Sequence, residues 1–224
     1  RNKNMKYFLY DVETTGFTKR DEVIQFSGYL LDDNLRNEHI INFYAYTQIE
    51  SNPDALKVHH LDKKLLWELS QGKTFEEQIF QYEFLFDAKD ITFVGYNIPF
   101  DNRLVNQTLK NNGYEPFNFG SKVTALTKSE GRHYFDLMSP MSSMFNHGIK
   151  MKLSDTIKQI KFKSLKEINE VYDVIFKNVG MPSGFSEDLA KQNEISKFHN
   201  SLYDSFIYWC LLLDYKTQIN CMFR

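Results

Sequence analysis

The stretch Met5-Lys6-Tyr7-Phe8-Leu9-Tyr10-Asp11-Val12-Glu13-Thr14-Thr15-Gly16 decides the fold. Its near-continuous apolar run reads as a buried strand, and the strand ends in acid. Residues i and i+2 of a strand point to one face, so the carboxylates of Asp11 and Glu13 converge. Converging carboxylates repel, and a divalent cation between them relieves the repulsion. The pair alone says little, because acid-x-acid recurs about four times by chance in a chain this acidic. Its position says more. Gly16 lets a backbone approach a ligand closely, and Thr14 and Thr15 add hydroxyls and amides.

Outward from this strand, residues 23–31 and 40–46 read as two more. Asp32, Asp33 and Asn34 form a turn between them, which predicts an antiparallel meander. Pro53 opens a helical region, with helical apolar spacing over 61–69 and 75–86. Residues 91–96 are a further strand, and a helix over 99–111 starts at a proline and stops at Gly113. The second half is helical at 137–145, 153–160, 165–176 and 198–219, with a loop marked by Gly180, Pro182, Ser183 and Gly184. Strands first, then a strand–helix unit, then helices predict an α/β fold, a mixed sheet flanked by helices.

Two more acids occupy suggestive places. Asp101 follows Gly95-Tyr96-Asn97-Ile98-Pro99-Phe100 at a strand-to-helix junction, where open α/β sheets bind ligands. The helix dipole alone also favours an Asp there. Asp204 lies in the last helix, five residues after His199. Five residues are about 140° apart on a helix, so His199 belongs at the helix start or before it, with Asp204 inside. A neutral His in that place can take a proton from water near pH 7.

The whole chain limits the alternatives. Its 224 residues carry a formal charge of −2, which suits one domain over residues 1–224 and excludes a simple polybasic binder. No apolar run of about 18 residues predicts a membrane span, and the charged start has no leader-like core, so an intracellular protein, cytoplasmic or nucleoid-associated, is expected. Cys210 and Cys221 would lie roughly 16 Å apart on one helix, too far for a disulfide. Lys150, Lys152, Lys158, Lys161, Lys163 and Lys166 form a cluster that reads either as a phosphate track or as a solvated face.

Taken in order, Asp11-Val12-Glu13-Thr14-Thr15-Gly16, then Gly95-Tyr96-Asn97-Ile98-Pro99-Phe100-Asp101, then His199-Asn200-Ser201-Leu202-Tyr203-Asp204 resemble the motifs of the DEDD superfamily of 3′–5′ exonucleases, in its His-containing branch. Pro53-Asp54-Ala55-Leu56-Lys57-Val58-His59-His60-Leu61 is similar to a segment of the epsilon-like proofreading group, with His60 where that group often has Gly. The resemblance implies an RNase H-like fold and hydrolytic release of nucleoside monophosphates from 3′ ends, with single-stranded DNA favoured. It implies two Mg²⁺ or Mn²⁺ ions on Asp11, Glu13, Asp101 and Asp204, with His199 as general base. Thr14, Thr15, Gly16, Phe17 and Asn97 would touch the substrate, and Phe100 could pack on a base or sugar. The partner would be a nucleic acid with a free 3′ end, and a proofreading role would need a separate polymerase. The alternatives are an RNA 3′–5′ exonuclease of the same fold, or a non-catalytic nucleic-acid-binding module, against which the presence of all five residues argues. Two departures stand out. The 62 residues between Asp136 and His199 suggest a helical insertion over about 162–195, and Leu137 replaces the usual Thr after Asp136.

Overall fold

The apolar run ahead of Asp11 becomes β1 (Lys6–Thr14), and the sheet grows from both of its edges. A computed structural model describes residues 5–126, 131–160, 163–180 and 200–222. On one side β2 (Val23–Leu31) and β3 (Asn37–Tyr44) continue as the expected antiparallel meander. On the other, β4 (Ile91–Gly95) runs parallel to β1, then β6 (His133–Asp136) and the short edge strand β5 (Ser121–Val123). The order is β3-β2-β1-β4-β6-β5, a mixed sheet of RNase H-like type. β5 was not expected from sequence; three residues, two of them polar, carry no readable periodicity.

Alternation along β1 divides the core. Phe8, Tyr10 and Val12 face a cluster with Phe26, Phe43, Phe93 and Phe119, whose rings lie within stacking or edge contact. Helices α3 (Phe75–Ile79), α4 (Glu83–Asp87) and α5 (Ile98–Asn111) cover that side. Tyr7 and Leu9 face the other cluster, shared with α2 (Lys63–Ser70), α6 (Met138–Phe145), α8 (Leu165–Ile175) and α9 (Ser201–Met222). Asp11 and Glu13 continue the Tyr7–Leu9 row, so the strand's own period aims both acids at α9.

The helix expected over 75–86 is broken. A 3₁₀ turn at Phe80–Tyr82 separates α3 from α4. The tighter turn sets the Tyr82 ring parallel to Phe43, with centroids 6.1 Å apart, and Phe80 against Tyr114 at 5.2 Å. Tertiary aromatic packing overrides the helical pattern here. Two further helices are α1 (Pro53–His59) and α7 (Leu153–Thr156), the latter continued by a 3₁₀ turn at Ile157–Gln159. His60 caps α1 with φ 59°, a left-handed conformation that explains why glycine suits this place. Within the range 162–195 expected as an insertion, the described residues form α8 and a wide turn over Phe176–Gly180, in which the carbonyls of Val179 and Gly180 meet Asn42 and Tyr44. Residues 181–195 of it lie outside the described residues.

α9 is apolar nearly all round, so hydrophobic contact alone would not fix its rotation. A polar seam does. On β2, Gln25, Ser27 and Tyr29 share one face. The Gln25 Nε2 donates to Asn200 Oδ1 (3.2 Å) and its Oε1 accepts from the Ser201 amide (3.2 Å). Ser27 Oγ meets Ser201 Oγ at 2.6 Å, and the Tyr29 hydroxyl donates to the Leu202 carbonyl at 3.1 Å. Asn200 in turn accepts from the Leu202 amide at 3.1 Å and caps the start of the helix. Cys210 is a buried free thiol on this helix.

Candidate active site

In register, Asp11 pairs with Ser27 and Glu13 with Gln25, so the β1 acids sit directly beside the β2 side of the polar seam. The seam holds the first turn of α9 there, and Asp204 projects from that turn. As a result Asp11, Glu13 and Asp204 each place a carboxylate oxygen within 4.8 Å of the others. Asp101, from the first turn of α5, approaches from the far side. Its Oδ1 accepts the Val12 amide at 3.3 Å, and only 3% of the residue is exposed. Asp101 thus adjoins the cluster, with one oxygen tied to the β1 backbone between the two acids of that strand.

Three carboxylates meet in a largely buried place with Asp101 beside them, and the electrostatics follow. Burial pushes the Asp11 carboxyl up to about 7, while the hydrogen bond from Tyr208 pulls it down. Glu13 is pushed well above the usual carboxylate range, first by burial and then by Asp11, Asp204 and Asp101. Asp101 is raised by burial and by Asp11, against the Val12 amide. Oxygen-only donors, buried and mutually repelling, suit a hard divalent cation.

Tyr208 was not anticipated. Its hydroxyl donates to Asp11 Oδ1. It lies four residues after Asp204, one turn along the same helix face, and that spacing was the available signal. Asp136 also has a defined task. Its Oδ1 accepts the amides of Asn97 (2.8 Å) and Met138 (3.1 Å), fixing the β4-to-α5 junction that carries Asp101. Asn97 is held with φ 63° and its side chain is exposed at the rim.

The loop after β1 is closed by Asp21. Its Oδ1 accepts the Thr15 hydroxyl at 2.8 Å and its Oδ2 the Thr18 amide at 2.6 Å. A Cβ on Gly16 would stand 2.8 Å from that carboxylate, so the close approach requires glycine. The Thr14 hydroxyl donates to the Gly16 carbonyl at 2.9 Å, and the Thr15 amide to the Glu22 carbonyl at 2.9 Å. Both threonine side chains therefore hold the loop itself. Phe17 is 66% exposed, and its ring centroid lies 5.8 Å from that of Phe100. His199 lies outside the described residues; α9 begins two residues after it.

Among the described residues, no helix is long and apolar enough to cross a membrane. Comparison with curated proteins gives no match. Among solved structures, the chain is similar to Exonuclease I of E. coli in complex with a dT13 oligonucleotide carrying a 5cy label. That match has 18% identity and a TM-score of 0.62, and covers 99% of this chain and 42% of that one. Exonuclease I of Methylocaldum szegediense matches at 18% identity and TM-score 0.60, over 96% and 42% of the two chains. The zinc-bound E. coli Exonuclease I–ssDNA complex matches at 16% identity and TM-score 0.59, over 99% and 42%. At these identities the likeness is one of fold, and the chain spans less than half the length of those proteins. The model of the RNase_T exonuclease family matches residues 8–174, most of the chain, and takes in Asp11, Glu13 and Asp101. On that match the chain belongs to the RNase_T exonuclease family of DEDD-superfamily nucleases.

Proposed function

We propose that the protein is a metal-dependent 3′–5′ exonuclease that releases nucleoside monophosphates, with single-stranded DNA favoured. The observation that carries the reading is the meeting of Asp11, Glu13 and Asp204 within 4.8 Å, beside buried Asp101. These four residues would hold two divalent ions, Mg²⁺ or Mn²⁺. Bound there, such ions supply an activated water and neutralise charge developing on the phosphodiester. Tyr208 holds Asp11 in place through its hydrogen bond. His199, in the segment entering α9, takes the proton of the attacking water. The backbone of Gly16 and the exposed Phe17 ring meet the terminal nucleotide, with Phe100 behind Phe17. Thr14 and Thr15 act there by shaping the loop, and Asn97 offers its exposed amide at the rim.

DNA is favoured because the similar E. coli proteins are seen with DNA oligonucleotides. The test is digestion of 5′-labelled single-stranded DNA and RNA of one sequence with Mg²⁺, Mn²⁺ or EDTA, beside Asp11→Ala. A ladder shortening from the 3′ end, metal-dependent and lost in the variant, is expected, with DNA degraded faster. Faster loss of RNA would transfer the assignment to an RNA exonuclease. Binding of both polymers without cleavage of either would mean a binding module.

A further inference from the structure

α5 carries Arg103, Gln107 and Lys110 on its outward side at helical spacing, so they form one face. The loop after β1 lies against this face and contributes Lys19. Between them is an open groove of about 440 Å³, lined by Lys19, Arg103, Asn106, Gln107, Lys110 and Asn111. Among the described residues, no carboxylate forms an ion pair with Lys19, Arg103 or Lys110. The loop's own acid, Asp21, is turned inward onto Thr15 and Thr18.

The groove has a fixed shape. Gln107 Nε2 donates to the carbonyls of Thr18 (2.9 Å) and Asp21 (2.6 Å), and Asn111 Nδ2 donates to that of Lys19 (3.3 Å). Arg103 Nη1 donates to Gln107 Oε1 at 3.2 Å, and its guanidinium lies 5.2 Å from the Phe100 ring centroid. Since Phe100 adjoins Phe17, the basic face is continuous with the aromatic pair at the edge of the acid cluster. The lysine-rich run singled out in the sequence is less available. Lys158 is paired with Asp155 at 2.9 Å and Lys166 with Glu170 at 3.8 Å, and Lys161 lies outside the described residues.

We propose that the α5 groove binds the phosphodiester backbone of the strand being degraded, upstream of the cleaved bond. The inference rests on the exonuclease reading and adds the path of the strand. Seven residues of helix rise from Arg103 to Lys110 span about 10 Å. That length lets the groove meet more than one backbone phosphate of a strand. Lys19 and Lys110 act as point charges, and Arg103 offers a planar fork for a phosphate.

The test uses the full chain with a Lys19→Gln/Lys110→Gln double variant, both residues being exposed. A Lys150→Gln/Lys152→Gln double variant controls for the same loss of net charge. Binding of 5′-fluorescein dT20 is followed by anisotropy in EDTA from 50 to 200 mM salt. Cleavage of dT20 and of the dinucleotide dTdT is measured with Mn²⁺. Two lost contacts should flatten the slope of log Kd against log salt by about 1.4 and weaken low-salt binding about tenfold. Cleavage of dTdT should be unchanged, as it cannot reach the groove. An unchanged slope, an equal loss in the control variant, or equal effects on dT20 and dTdT would each overturn the proposal. So would an effect seen only on a duplex with a recessed 3′ end, which would assign the groove to the complementary strand. If the unaltered protein binds dT20 but cleaves nothing, the exonuclease reading fails, and the slope still decides the groove.

Discussion

Replacing Asp11 by Asn should stabilise the metal-free protein while abolishing its response to metal. The Asn side chain keeps an oxygen that can accept the Tyr208 hydroxyl and removes one buried charge. The Asp11 carboxyl, ordinarily near 3.8, is pushed by burial up to about 7. A carboxyl raised in the folded state binds its proton more tightly there than in the unfolded chain. Its contribution is therefore fully present below pH 3.8 and is lost as pH rises through about 7. At about 1.36 kcal/mol per pH unit, the interval amounts to about 4 kcal/mol. In EDTA, Asp11→Asn and the unaltered protein should be about equally stable at pH 4, and at pH 8 the variant should lead by about 2–4 kcal/mol. Each kcal/mol moves Tm by about 2–4 °C in a chain of this size. Mn²⁺ at 100 times its Kd should return about 2.7 kcal/mol to the unaltered protein and nothing comparable to the variant. Thermal melts at the two pH values, with and without Mn²⁺, make the measurement. A variant that melts at or below the unaltered protein in EDTA at pH 8, or equal stabilisation of both by Mn²⁺, would refute the reasoning.

Tyr208→Phe removes the donor that lowers Asp11, so Mn²⁺ affinity at pH 7 should fall about tenfold and recover at higher pH; calorimetric titration at pH 7 and 9 reads this. Gly16→Ala places a methyl against the Asp21 carboxylate, which cannot yield without releasing Thr15 and Thr18. It should cost about 1–3 kcal/mol in urea unfolding and raise KM. His199→Ala should lower kcat about 100-fold and remove the limb of the pH–rate profile that reports an imidazole; an unchanged profile would exclude it as the base.

The parts of the fold that rest on local pattern were legible in the sequence. Tyr7 to Glu13 is a near-continuous apolar run that turns acidic, and that alone indicated the strand and the two converging acids. Pro99 and Gly113 bracketed α5, and the Asp32–Asn34 turn implied the meander. What was hidden rests on contacts between distant segments. The second helical run offers one case: the pattern of Phe75 to Phe86 is helical, and only the rings of Phe43 and Tyr114 explain the break at Phe80–Tyr82. Gln25 and Ser27 look like ordinary polar strand residues until Asn200 and Ser201 are set opposite them. Asp21 looks like a solvated loop acid, yet it is buried and closes the turn at Gly16. Lys19 and Lys110 are unremarkable apart in the sequence and line one groove only because the loop after β1 lies against α5.

The polar seam between β2 and α9 has a consequence for the order of events during synthesis. Three of the acids, Asp11, Glu13 and Asp101, emerge in the first half of the chain, on a sheet that can begin to form early. Asp204 and its seam partners on α9 emerge well after them. Until α9 docks and its amides and hydroxyls find Gln25 and Ser27, the acid site lacks its fourth carboxylate and Asp11 lacks Tyr208. A chain in which α9 has not docked therefore holds most of the sheet and three acids without Asp204 beside them. Assembly of the acid cluster thus waits on the docking of α9 and reports that α9 has met β2.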